Sequence, residues 1–161
     1  MKDAIRIDDF FSDLSVEEKL IRVTAFQSIL KGSPSTIDDL HGITELPQAR
    51  INGIVENLAK NGRIVVDIES GTIVGSQWLS LIKTSHRLYI NDRNLFTWCA
   101  FDAIGIPAAL EVDAQINSTC FSCEKEINIE IISGQISKTS EQDIKLLLVE
   151  AEFGRPIVGC T

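Results

Sequence analysis

A chain of 161 residues has room for one medium domain or two small ones, and 44% hydrophobic against 24% charged residues supports a packed core and excludes wholesale disorder. The net charge of −8 argues against nucleic acid or an anionic membrane surface as the main partner, because both attract basic faces. No apolar run reaches the length of a membrane-spanning helix, and the opening "MKDAIRIDDFFSDLSVEEKL" carries acids throughout and does not read as a secretory signal. A cytoplasmic location is therefore expected, with Cys99, Cys120, Cys123 and Cys160 as reduced thiols.

The elements follow in chain order. "SVEEKLIRVTAFQSILKG" opens on Ser15 with Glu18 three residues later, a capping-box pattern, and Gly32 stops the helix. Leu20, Val23, Ile29 and Leu30 fall near one face of it. "STIDDLHGIT" predicts a short second helix that ends near His41. "LPQARINGIVENLAKNG" predicts a third, with Pro47 suited to the first turn, an apolar stripe of Ile51, Ile54, Val55 and Leu58, and Gly62 at the end. "RIVVDIESGTIVG" reads as a hairpin about Ser70-Gly71. Three helices and a hairpin give the winged helix-turn-helix order. A DNA-reading helix needs net positive charge, yet Arg50 and Lys60 are accompanied by Glu56, and the hairpin carries Asp67 and Glu69. A scaffold or lid packed on the second half is the plainer reading.

Residues 77–161 have a different texture. "HRLYIND" predicts a strand that starts at His86 and ends in a turn. Residues 95–104 predict a helix capped by Asn94 and ended by Gly105 and Pro107. "EVDAQINST" alternates weakly, "EINIEIIS" alternates clearly, and "DIKLLLVEAEF" reads as a further strand. The expected fold class is α+β. A three-helix winged-helix-like domain (1–76) precedes a mixed α/β domain (77–161) with strands around one buried helix.

Within "NLFTWCAFDAIGIPAAL", positions three apart share a helix face, which brings the Cys99 sulfur and the Asp102 carboxylate to one point. Phe96, Trp98, Phe101 and Ile104 would keep that point dry. A carboxyl in an apolar site has a raised pKa, as a proton donor needs. A neighbouring carboxylate disfavours a thiolate, whereas a soft metal would bind the thiolate directly. An inert buried cysteine is the competing reading. "CFSC" at Cys120 and Cys123 has zinc-knuckle spacing, but a closed zinc site needs four ligands, and Cys160, Cys99, His41 and His86 stand at no diagnostic spacing from it.

"INDRNLFTWCAFDAIGIPAAL", followed by "INSTCFSCEKEINIEI", resembles the core of the alkylmercury lyase (organomercurial lyase) family. The resemblance is carried by Trp98, Cys99, Ala100, Asp102 and, after a strand, Cys120. It implies protonolysis of carbon–mercury bonds, giving Hg(II) and a hydrocarbon. Cys99 and Cys160 would bind mercury and Asp102 would deliver the proton, with Cys120 structural. It also implies an organomercurial substrate, no required cofactor, and cellular thiols or a mercuric-ion reductase as Hg(II) acceptor. The sequence departs from the family pattern twice: the family continues past Thr161, and Cys123 adds a second cysteine beside Cys120. The alternative expectation is a non-catalytic homologue, regulatory in role, that binds a soft metal or zinc at Cys120 and Cys123.

Overall fold

The structure is a computed structural model that describes residues 13–146. Helix α1 (Val16–Leu30) begins where the sequence predicts. The Ser15 hydroxyl accepts from the Glu18 N–H at 3.2 Å, and the Glu18 carboxylate accepts from the Ser15 N–H at 2.8 Å. This reciprocal pair satisfies two otherwise orphaned amides. The buried stripe differs from expectation. Ile21, Ala25 and Ile29 are fully buried, while Leu20 and Val23 are exposed. A four-residue spacing follows one face of the helix, and Leu20 is rotated roughly 100° from Ile21, off that face.

Helix α2 (Ile37–Thr44) is capped in the same way, with Thr36 Oγ1 accepting from the Asp39 N–H and Asp39 Oδ2 from the Thr36 N–H, both at 3.0 Å. Helix α3 (Gln48–Lys60) starts directly after Pro47 and buries Ile51, Ile54, Val55 and Leu58, the stripe that the spacing predicts. The three helices pack against one another, and α1 lies on the first strands of the sheet. Strands β1 (Ile64–Val66) and β2 (Ile73–Ser76) form the expected antiparallel hairpin. Its turn is held by Asp67 Oδ2, which accepts from the Ser70 N–H at 3.1 Å, and by Gly71 at φ +67°.

Six further strands complete one antiparallel sheet: β3 (Leu79–Ser80), β4 (His86–Ile90), β5 (Arg93–Thr97), β6 (Ala114–Thr119), β7 (Glu126–Ile132) and β8 (Gln135–Thr139). The strand order is β1-β2-β3-β5-β4-β6-β7-β8, and β2 pairs with β3 without a break in the sheet. The protein is a mixed assembly of helices and antiparallel sheet. Strand β8 escapes sequence reading because it holds one apolar residue, Ile136, and is exposed along its whole length. Of the expected strand in "DIKLLLVEAEF", residues 143–146 are not in a strand and the remainder lies outside the described residues.

The helix expected over 95–104 is corrected at both ends. Residues 93–97 are strand β5, paired with β4 through Leu95 opposite Leu88 and Asn94 opposite Tyr89, so Asn94 caps nothing. Helix α4 runs Ala100–Leu110, passing through Gly105 and Pro107. It ends where Glu111 adopts φ +54°, with Val112 N–H bonded to Pro107 O at 3.2 Å and Glu111 N–H to Ala108 O at 3.3 Å. That is a Schellman closure. Helix α4 packs across β4, β5 and β6, burying Ala103 and Ile106 in the same core as Leu88, Leu95 and Ile116. None of the helices among the described residues is long and apolar enough to cross a membrane.

Candidate active site at the start of α4

Cys99 is the N-cap of α4, extended at φ −146° and ψ 170°. Its carbonyl accepts the first helical bond from the Ala103 N–H at 3.2 Å and a second from the Thr97 hydroxyl at 2.9 Å. Its N–H donates to Asp102 Oδ2 at 3.1 Å, and its sulfur accepts from the Asp102 N–H. The pair therefore converges by a route other than the shared helix face predicted above. It forms a capping box with a thiol in the place of the hydroxyl, in the relation that joins Ser15 to Glu18 and Thr36 to Asp39.

This box differs from the other two in burial. Asp102 is only 9% exposed, whereas the hydrogen bonds of the first two boxes are exposed. Burial pushes the Asp102 carboxyl up to about 6 from an ordinary 3.8, against hydrogen bonds from the Cys99 thiol and amide that favour the carboxylate. Burial also pushes the Cys99 thiol up to about 12, helped by its hydrogen bond to Asp102 and by the carboxylate charge. The amides of Asp102 and Phe101 act in the opposite sense on the sulfur. A helix N-terminus favours negative charge by about 0.3–1 kcal/mol, less than one pH unit, so burial prevails. At neutral pH the site holds a protonated thiol hydrogen-bonded to a carboxyl group that ionises only just below neutrality.

Trp98 is buried and donates its backbone N–H to Trp78 O at 3.0 Å. Its indole Nε1 has no partner among the described residues. Phe96 and Ile104 are half-buried, but Phe101 is 51% exposed and does not close the site as the sequence suggests. Thr97 was not anticipated: as the last residue of β5, its hydroxyl fixes the Cys99 carbonyl. No sequence signal marks it, because its place depends on the pairing of β5 with β4.

The other candidates lie elsewhere. Cys120 directly follows β6 and Cys123 is exposed in the turn beyond it. The amides of Cys123 and Ser122, and the Cys123 side chain, hydrogen-bond the Cys120 sulfur and lower its pKa. His86 Nδ1 is 3.0 Å from Ser118 Oγ, with its pKa lowered by burial, and His41 Nδ1 is 2.8 Å from Leu46 O. No group of three or more His, Cys, Asp and Glu side chains among the described residues could hold a metal ion. Cys99 with Asp102 and Cys120 with Cys123 are thus two separate pairs, and the second is two donors short of a closed zinc site. Cys160 lies outside the described residues.

A mixed helix–sheet fold that sets a half-buried thiol beside a buried carboxyl at one helix start defines a class suited to soft-metal and proton chemistry together. The family model for alkylmercury lyase matches residues 79–160, half of the chain. The chain belongs to the alkylmercury lyase family. It is 29% identical over 105 residues to an alkylmercury lyase of Bacillus cereus, covering 65% of this chain and 46% of that one. It is 27% identical over 110 residues to one of Staphylococcus epidermidis and 28% over 111 residues to one of Streptomyces lividans, covering 49% of each relative. The chain spans about half the length of the curated relatives it matches. Among solved structures it is similar to the mercury-bound form of MerB2, at TM-score 0.77 and 29% identity, covering 83% of this chain and 64% of that one.

Proposed function

We propose that the protein cleaves carbon–mercury bonds by protonolysis, with Cys99 and Cys160 as mercury-binding thiols and Asp102 as the proton carrier. The observation that carries this reading is the buried capping box in which the Cys99 thiol and the Asp102 carboxyl share hydrogen bonds. Family membership supports the chemistry.

The pKa order suggests how the proton moves. A thiol pushed up to about 12 does not ionise unaided at neutral pH, and a carboxyl pushed up to about 6 is mostly ionised there. An organomercurial arriving at Cys99 displaces the thiol proton, because mercury is soft and prefers thiolate. Asp102, already hydrogen-bonded to that thiol, takes the proton. With mercury held by the thiolates, Asp102 returns the proton to the carbon as the carbon–mercury bond breaks. The hydrocarbon leaves and Hg(II) remains on both sulfurs: the Cys99 proton passes through Asp102 to carbon, and the Cys160 proton departs with the thiolate or halide that the substrate carried on mercury. The metal arrives with the substrate, so the reaction as written needs no resident cofactor. Cellular thiols or a mercuric-ion reductase would accept the Hg(II), in a cytoplasm where the cysteines stay reduced.

In this reading residues 77–161 hold the chemistry and residues 1–76 form a winged-helix-like support. The order of three helices and a hairpin favours that description. A packing role for α3 is favoured by Arg50, whose Nε bonds Glu17 Oε2 at 2.8 Å and so ties α3 to α1. The test is release of methane or benzene from methylmercury or phenylmercury with excess thiol. We expect turnover above the thiol-only control and its loss in Cys99→Ser. Undiminished turnover in that variant would reject the proposal.

A further inference from the structure

We propose that the Cys120–Cys123 turn is a second, chelating dithiol site for a soft cation that takes two thiolates, Hg(II) first among them. The site rests on the turn's own geometry and not on turnover at Cys99, so either reading can fail alone. The chain leaves β6 at Thr119, which pairs with Glu126 as β7 begins. The loop between them is closed by two backbone bonds, Cys120 N–H to Lys125 O and Glu124 N–H to Cys120 O, both 2.9 Å. Glu124 at φ +59° turns the chain back into β7. Inside this closed loop the amides of Ser122 and Cys123 point at the Cys120 sulfur, and the Cys123 side chain hydrogen-bonds it.

Two sulfurs are therefore brought together before any ion arrives, with amide donors in place to support negative charge on one of them. Lys125, tied to Glu141 at 2.8 Å, sets a positive charge near Cys123. Cys123 is exposed, so a cation reaches the pair directly from solvent. Two thiols suit a soft ion that needs only two strong ligands, and fall short of the four that close a zinc site. Cys99 and Asp102 do not join the pair in one cluster among the described residues. Binding replaces two S–H bonds by two sulfur–metal bonds and releases two protons for each ion.

The experiment uses the 161-residue chain with Cys99→Ser and Cys160→Ser, which leaves Cys120 and Cys123 as its two thiols. Mercuric chloride is added in the presence of excess monothiol and protein-bound mercury is measured after gel filtration; proton release is measured separately, on adding mercuric chloride to the reduced protein with no other thiol present. We expect about one mercury ion per chain without change in elution volume, and about two protons released per ion in the titration without added thiol. Adding Cys123→Ser should abolish retention. Mercury retained no better than in that variant, or carried only by species of two chains bridged through the metal, would overturn the proposal. Turnover of the unaltered chain on phenylmercury reports separately on Cys99.

Discussion

Asp102→Asn isolates the energetic cost of burying an acid at the head of α4. Oδ1 of an asparagine can still accept from the Cys99 N–H, which keeps the capping contact, while the ionisable group is removed. In the folded protein Asp102 titrates near 6, against an ordinary 3.8. The folded state therefore holds a proton that the unfolded state has released between about pH 4 and 6, and stability falls as pH rises through that window. At about 1.4 kcal/mol per pH unit, the full difference is about 3 kcal/mol, absent below pH 4 and complete above pH 6. Glu18, Asp39 and Asp67 have lowered pKa values and contribute in the opposite sense, so the total pH profile mixes signs. The difference between Asp102→Asn and the parent cancels those contributions. Urea unfolding followed by tryptophan fluorescence at a series of pH values from 4 to 7 measures it. We expect the variant to gain stability relative to the parent by up to about 3 kcal/mol across that range. A difference that stays constant with pH would refute the raised pKa and the proton-carrying role built on it.

The same titration should appear in catalysis: kcat/KM for an organomercurial should rise with pH through about 6, as Asp102 becomes able to take the Cys99 proton. Stopped assays across that range would show a flat profile if another group carries it. Ser15→Ala removes one half of the α1 capping box and should cost about 1 kcal/mol in urea unfolding. Gly134→Ala should cost more than about 1 kcal/mol by the same measurement. Gly134 sits at φ +76°, and an added Cβ would lie 3.0 Å from Glu111 Cα and 3.1 Å from Ala108 O, where the β7–β8 turn meets the end of α4. Leu88→Ala, in the fully buried middle of β4 beneath α4, should cost about 2–5 kcal/mol and lower the thermal midpoint accordingly.

Much of the local structure was legible in the sequence, because it depends on residues a few positions apart. The α1 box, the α3 stripe and the Ser70-Gly71 hairpin are all contained in short windows. So is the association of Cys99 with Asp102, since a spacing of three serves a capping box as well as a helix face. Strand β5 was not legible. Leu95, Phe96 and Trp98 suit a buried helix as well as a strand, and the pairing of Leu95 with Leu88 and Asn94 with Tyr89 of β4 decides between the two. Pro107 misled for a related reason: the helix passes through it because the burial of Ala103 and Ile106 offsets the lost amide bond.

By itself, then, the sequence determined which two groups meet at residue 99 and which family motif they belong to, since both are matters of residue type at short spacing. Only the tertiary structure decided what those groups are chemically. The Ser15, Thr36 and Cys99 boxes share one extended N-cap geometry, but the first two lie in water and only the third has its acid buried. Desolvation, a property of everything packed around Cys99 and Asp102, turns an ordinary helix cap into a protonated thiol beside a carboxyl poised near neutrality.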